Sequence, residues 1–525
     1  MKSKFNRRRF LYYSGMGAVS IAALPFLSAS TCNSGKPRSS GGISEDFEPD
    51  IDFELTAIEK NIPILSGNHT RVWMFESKLI KGNPESLQQI NESYLGPIIR
   101  VRKGQKVRIR FTNKINEQSI VHWHGMHVPE KYDGHPKDVI SLGETYTYEF
   151  EIMNRAGTYW YHPHPHMRTG PQVYYGLAGM FIVTDEEEQS LDLPTGKFDI
   201  PVIIQDRTFD ADNQLVYLGN ARMEGMTGFL GNRILINGDL DQTISMGQGV
   251  YRLRILNASN SRIYKLAWED GTPQTVIGTD GGLLEIPKNM SYVMMGVGER
   301  IDLWLDLSNK EIGTELLLKS LPFSAGMTGG MMGGMMREMQ TEIPLGSEYT
   351  VMKIKIDNSG GNKYKLPEKL VSLNNLELSD AINSDNPRTF KFFMQRMEWT
   401  INGRTWETLG VTDQETVRLN TTEVWQFINS GGGMMGNMMQ MPHPVHMHHV
   451  QFRIIERNSD NMDAGMWKTV KDGFVDEGWK DTVLLMPGMK IKVLMTFDDY
   501  KGLFLYHCHN LEHEDMGMMR NFKVT

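Results

Sequence analysis

The chain repeats itself, and that repetition restricts its fold more than any other feature. Gly96-Pro97-Ile98-Ile99-Arg100-Val101 leads into Val107-Arg108-Ile109-Arg110-Phe111-Thr112-Asn113. Asn237-Gly238-Asp239 leads into Tyr251-Arg252-Leu253-Arg254-Ile255-Leu256-Asn257. Asn402-Gly403-Arg404 leads into Glu423-Val424-Trp425-Gln426-Phe427-Ile428-Asn429. Each copy is an extended segment, a turn and a second strand ending in Asn. Alternation of polar and apolar residues at period two marks strands, and helical periodicity is scarce. Repetition at this scale means duplicated domains. The expectation is an all-β chain of three Greek-key β-sandwich domains, with boundaries near residues 190 and 360. The 51 glycines suit a turn-rich fold of this kind.

A second echo links the first and last copies only. Gly157-Thr158-Tyr159-Trp160-Tyr161-His162-Pro163-His164 matches Gly502-Leu503-Phe504-Leu505-Tyr506-His507-Cys508-His509 in spacing. Four His-x-His pairs result: His122/His124, His162/His164, His446/His448 and His507/His509. On a strand, residues i and i+2 share a face, so each pair offers two imidazoles to one side. The middle copy has Asn257-Ala258-Ser259-Asn260 at this point and no histidine. The pairs therefore converge only if the first and third domains meet. His166 competes with His162 as a partner for His164, and the repeat alignment favours His162. Eight imidazoles suit a three-copper cluster, although zinc and iron also take imidazole.

Only two cysteines are present, Cys32 and Cys508. Cys32 lies in a leader region, so the mature globular part has one thiol and no internal disulfide. Cys508 points to the strand face opposite His507 and His509. His513 follows five residues later, Met518 ten residues later, and His443 lies three residues before His446. Two His, a Cys thiolate and a weak axial Met are the ligands of a blue-copper electron-transfer site. One segment would then serve a mononuclear copper and a cluster, with a short covalent path between them. Four metals can hold the four electrons that reduce dioxygen to two waters.

With these residues in view, the sequence resembles the three-domain multicopper oxidases, most closely the bacterial copper-efflux (cuprous) oxidases. The resemblance covers about residues 50–525 and rests on His122-Trp123-His124-Gly125, His162-Pro163-His164, His443-Pro444-Val445-His446-Met447-His448, and His507-Cys508-His509 through His513 and Met518. It implies cupredoxin-like domains over 49–190, 191–360 and 361–525, and four copper ions. His443, Cys508, His513 and Met518 would hold a type 1 copper. His122 and His446 would hold a type 2 copper. His124, His162, His164, His448, His507 and His509 would hold a type 3 pair. Asp133, in Tyr132-Asp133-Gly134, and Glu514, beside His513, resemble acids that help deliver protons, which water formation consumes. The competing reading of both is a solvated surface charge.

Methionine is abundant, at 36 residues. Met327, Met331, Met332, Met335, Met336 and Met339 form one Met/Gly segment, and Met434, Met435, Met438, Met439 and Met441 form another directly before His443. Soft thioethers select Cu(I), which makes these segments candidates for a Cu(I) substrate. The plain alternative is adaptable packing. The pattern departs from the copper-efflux oxidases, whose long Met-rich insertion lies in the third domain. It also has Met439 where an acid is expected, leaving Asp472, Asp476 and Glu477 as acidic candidates. The favoured activity is Cu(I) oxidation for copper tolerance, with laccase-like action on phenols. The alternatives are a laccase or bilirubin-oxidase-like enzyme for organic donors, and a noncatalytic copper-binding or scaffold protein.

Asn6-Arg7-Arg8-Arg9-Phe10-Leu11 and the weakly apolar stretch to Ala29 read as a twin-arginine export signal over 1–31, followed by a linker over 32–48. The expected location is periplasmic after export by the twin-arginine machinery, with Cys32 a candidate lipid anchor. The net charge of -8 gives no nucleic-acid footprint, and no stable protein partner is implied.

Overall fold

The structure is a computed structural model. It describes residues 44, 46–219, 221–240, 243–326, 341–373, 376–430 and 440–525. The expected export signal, Cys32 and most of both Met/Gly segments lie outside these residues. Among the described residues no helix is long and apolar enough to cross a membrane.

Among the described residues six sheets form, two from each third of the globular chain. In the first sheet of each pair, the repeated strand lies between one parallel and one antiparallel neighbour. Lys106–Asn113 pairs parallel with Ile51–Ile62 and antiparallel with Thr145–Glu151. Val250–Asn257 does the same with Asp199–Arg207 and Arg300–Asp306. Thr421–Asn429 does so with Arg388–Gln395 and Lys490–Phe497. The repeat seen in sequence is thus a repeat of topology, and the fold is three cupredoxin-like sandwiches. The Asn-Gly turns carry the signal locally. Asn237-Gly238 and Asn402-Gly403 both have positive φ (54° and 85°, 53° and 76°). Two-residue turns of that hand match strand twist and favour Asn and Gly, which tolerate it.

The second sheet of each pair positions the site. Gly179–Thr184, Gly157–Pro163 and Val121–His124 are neighbours in the first sandwich, and Met519–Val524, Gly502–Cys508 and His443–Met447 are the equivalent trio in the third. The middle sandwich places Tyr349–Asn358, Glu315–Ser320 and Tyr264–Trp268 in those positions. Apolar residues from the two sheets fill each sandwich. Phe53, Ile109 and Phe181 are fully buried in the first core, Leu253 and Ile354 in the second, and Phe427, Val493 and Phe522 in the third. Each such side chain contributes about 1.5–3 kcal/mol by leaving water. A further cluster, including Trp160, Ile203 and Leu256, joins strands of the first and second sandwiches.

Candidate metal centre

Two matched strand pairs bring the histidines together. Val121–His124 runs antiparallel to Gly157–Pro163, with His122 opposite His162. His443–Met447 runs antiparallel to Gly502–Cys508, with His446 opposite His507 and Val445 opposite Cys508. His164, His448 and His509 directly follow these strands. All eight imidazoles are fully buried, and residues from the first and third sandwiches face one another. His166 is exposed and lies against Trp406, away from the group.

The ring hydrogen bonds fix which nitrogens face inward. His122 donates Nδ1–H to the carbonyl of Asp133 (2.6 Å), and His446 donates Nδ1–H to the carbonyl of Asp481 (2.9 Å). A carbonyl only accepts, so both Nε2 atoms carry bare lone pairs. Those atoms face each other at 3.4 Å. Buried lone pairs so arranged repel unless a cation sits between them. His507 donates Nδ1–H to the Cys508 carbonyl (3.1 Å), and its bare Nε2 lies 3.2 Å from Nε2 of His448 and 3.4 Å from Nε2 of His164. His162 donates Nδ1–H to the Pro163 carbonyl (3.0 Å), and its Nε2 lies 3.4 Å from Nδ1 of His124. His509 completes that group: its ring centroid is 4.9 Å from His124 and 5.2 Å from His162, and neither ring nitrogen has a hydrogen-bond partner. Nitrogens about 2 Å from a shared ion lie roughly 3.3–3.5 Å apart at tetrahedral or trigonal angles. The spacing fits metal ions.

Burial, reinforced by the neighbouring imidazoles, holds His122, His124, His164, His446, His448 and His509 well below the usual histidine range, and burial takes His162 to about 4. Neutral imidazole is the form that binds metal.

Cys508 faces the other way, as strand alternation requires. Its buried Sγ lies 3.4 Å from Nδ1 of His443 and 3.7 Å from Nδ1 of His513. His513 donates Nε2–H to the Met226 carbonyl (3.3 Å), which leaves its Nδ1 bare toward the sulfur. The Trp399 ring packs on His513 at 4.2 Å. Met518 is fully buried, and its backbone closes the loop: its carbonyl accepts from Cys508 N (3.0 Å) and its N–H donates to the His513 carbonyl (2.9 Å). Burial pushes the Cys508 thiol pKa up and takes His443 down to about 3. A buried thiolate needs a cation, so this donor set fits a soft metal better than a free thiol.

Asp133 and Glu514 are buried beside the imidazoles, not solvated. An Asp133 carboxylate oxygen lies 2.8 Å from Nδ1 of His448, and the other lies 3.5 Å from Nδ1 of His122. Burial holds the Asp133 carboxyl well above the usual range, while a cation on these imidazoles would oppose that. Glu514 lies 3.2 Å from Nδ1 of His507 and 3.5 Å from Nε2 of His164.

Three further residues support the cluster without any motif in the sequence: Asp481, Thr482 and Arg300. Asp481 Oδ1 lies 3.1 Å from Nε2 of His124, as does the Thr482 hydroxyl. This contact reverses His124, so that its Nδ1 faces inward. Arg300, from the middle sandwich, donates to both Asp481 oxygens (2.7 and 2.5 Å). The domain without histidines therefore braces the cluster through a buried ion pair. Its only sequence signal is a charge beginning the strand Arg300–Asp306. Partners of this kind set ligand orientation. Asp481→Asn presents an amide that also fits the opposite tautomer. Copper affinity, measured by chelator competition, is expected to fall about 10–100-fold.

Met327, Met331, Met332, Met335, Met336, Met339, Met434, Met435, Met438 and Met439 lie outside the described residues. Met441 is buried, and its carbonyl accepts from Asn429 (2.7 Å). Of the acidic candidates, Asp476 is held by Arg457 and Glu477 by Lys288, and the Asp472 backbone N–H donates to the Tyr292 hydroxyl (3.2 Å).

Comparison with known proteins bears on which metal this is. Two sequence models, both described as multicopper oxidase, match residues 73–188 and 381–525. The multicopper oxidase mco of Staphylococcus aureus is 30% identical over 452 residues, covering 86% of each chain. The chain belongs to the multicopper oxidase family. The multicopper oxidase is also similar to the laccase of Bacillus subtilis (28% over 497 residues, 84% of this chain and 91% of that one). The crystal structure of McoA multicopper oxidase from Aquifex aeolicus superposes with a TM-score of 0.74 at 34% identity, covering 91% of this chain and 97% of that one. This multicopper oxidase is an oxidoreductase that uses copper and dioxygen, and its histidine and cysteine groups suit copper chemically.

Proposed function

We propose that the enzyme couples the one-electron oxidation of Cu(I) to the four-electron reduction of dioxygen to water, serving copper tolerance, with laccase-like oxidation of phenols as a second activity. The observation that carries the coupling is the back-to-back strand, with Cys508 toward His443 and His513 while His507 and His509 join the imidazole group. His443, Cys508, His513 and Met518 would hold a type 1 copper, His122 and His446 a type 2 copper, and His124, His162, His509 with His164, His448, His507 the type 3 pair. When bound, the four coppers supply one-electron redox chemistry: a single electron acceptor and a site that gives four electrons to dioxygen.

The residues do the rest. The Cys508 backbone connects the two ligand sets through adjacent peptide bonds. The carbonyls of Asp133, Asp481, Pro163 and Cys508 lock ring tautomers, so little reorganisation accompanies electron transfer. Asp133 and Glu514, beside His448 and His507, relay protons toward the oxygen site. The twin-arginine segment delivers the folded enzyme to the periplasm, and Cys32 offers a lipid attachment point there.

The Cu(I) reading is supported by the two Met/Gly segments, one of which precedes His443 directly. Oxygen uptake with Cu(I), a phenol and bilirubin on one copper-loaded sample tests it. Deleting residues 327–339 is expected to lower kcat/KM for Cu(I) at least tenfold and to keep or raise phenol oxidation. Unchanged Cu(I) kinetics would favour the second reading, an oxidase for organic donors.

A further inference from the structure

We propose that His127 is a positioning residue for the imidazole cluster: as a cation it clasps the first sandwich to the third and fixes where their histidines face one another. The proposal rests on the assignment of those histidines to copper above, and concerns residues outside that set. The seam between the two sandwiches is where the cluster is assembled. His122 stacks on His448 and His124 on His446, each pair across the seam with ring centroids 3.6 Å apart. Ligand sets work when they are held to within about 0.5 Å.

His127 ties together the two backbone segments that carry these rings. It lies three residues after His124, and its acceptor His449 directly follows His448. Its Nδ1–H donates to the His449 carbonyl (2.7 Å) and its Nε2–H to an Asp499 carboxylate oxygen (2.5 Å). A carbonyl and a carboxylate only accept, so the ring that fills both bonds carries a proton on each nitrogen. The ring is anchored from its own side too. The His127 backbone N–H donates to Asn154 Oδ1 (2.8 Å), and Asn154 Nδ2 donates to the Gly125 carbonyl (2.9 Å), which holds the loop that follows His124.

His449 is the strained half of the clasp. It is buried, has positive φ (68°), and neither ring nitrogen has a hydrogen-bond partner. A left-handed backbone is uncommon outside Gly, and a buried polar ring without hydrogen bonds loses its hydration without replacement. Such strain persists where the surroundings over-determine it. Here stacking does so. Phe504 stacks on the ring with centroids 4.1 Å apart and 10° between planes, and His127 stacks on it at 4.5 Å and 22°. A cation over an aromatic face is attracted to it, so a charged His127 holds the ring and the carbonyl of His449 at once. The competing account is an ordinary surface ion pair. The His127 and Asp499 side chains are 19% and 32% exposed, and pairs so placed stabilise a fold little. On that account removing His127 changes nothing at the cluster.

The test compares copper-loaded enzymes at equal copper content. His127→Ala is expected to leave donor reduction of the blue centre without oxygen unchanged and to slow reoxidation by dioxygen about tenfold. It is also expected to alter the type 2 copper EPR spectrum of the resting enzyme, which the loss of a surface ion pair would not do. His127→Lys, a cation with several donors, recovers most of the rate and the spectrum, and neutral His127→Gln does not. Should His127→Ala fail to hold copper, Asp499→Ala decides alone, because it keeps the bond to the His449 carbonyl. Its reoxidation is expected to be about threefold slower, with an altered EPR spectrum. Unchanged reoxidation and EPR in these variants, or equal recovery by Gln and Lys, overturns the proposal and leaves the cluster standing. Wild-type enzyme with no copper on the imidazoles overturns both.

Discussion

Cys508→Ser is expected to give a folded, colourless protein whose oxidation of every donor falls by roughly three orders of magnitude or more. The side chain is fully buried in a matched cavity, so replacing sulfur by oxygen disturbs packing little. The chemistry changes more. A serine hydroxyl does not ionise in this setting and is a hard donor, whereas a copper held by His443 and His513 would need a soft thiolate. The imidazole group is untouched, since His507 and His509 point to the other face. Blue absorbance and turnover should vanish together while copper on the cluster remains. Retained turnover would place electron uptake elsewhere.

Asp133→Asn and Glu514→Gln should each lower oxygen consumption by about 10²–10⁴, the usual contribution of a positioned acid. Both keep size and hydrogen-bonding capacity next to His448 and His507, so copper content should hold. The distinguishing readout is the half-reaction. Donor reduction of the blue centre, followed by stopped flow without oxygen, should be unchanged, and reoxidation by dioxygen should slow. Unchanged oxygen uptake at equal copper content would remove both acids from proton delivery.

Much of this centre was legible because strands obey a two-residue period. His-x-His spacing placed two imidazoles on one face, and the same rule turned Cys508 to the other. The strand repeat was readable for the same reason, and Asn-Gly at 237–238 and 402–403 marked its turns. Other features depend on contacts that no local pattern encodes. Arg300 and Asp481 meet across 181 residues, through packing of the middle sandwich on the third. His124 looks like any other member of a His-x-His pair until Asp481 is seen against its Nε2. Asp133 and Glu514 were found through family resemblance, and only their burial separates them from solvated charges.

The central claim is one copper on Cys508 and three held by the eight imidazoles. Copper per chain, counted by mass spectrometry on reconstituted wild-type enzyme and Cys508→Ser, tests it most directly. The prediction is about four in the wild type and three in the variant. Equal counts in the two proteins, or a wild-type value near one, would contradict it.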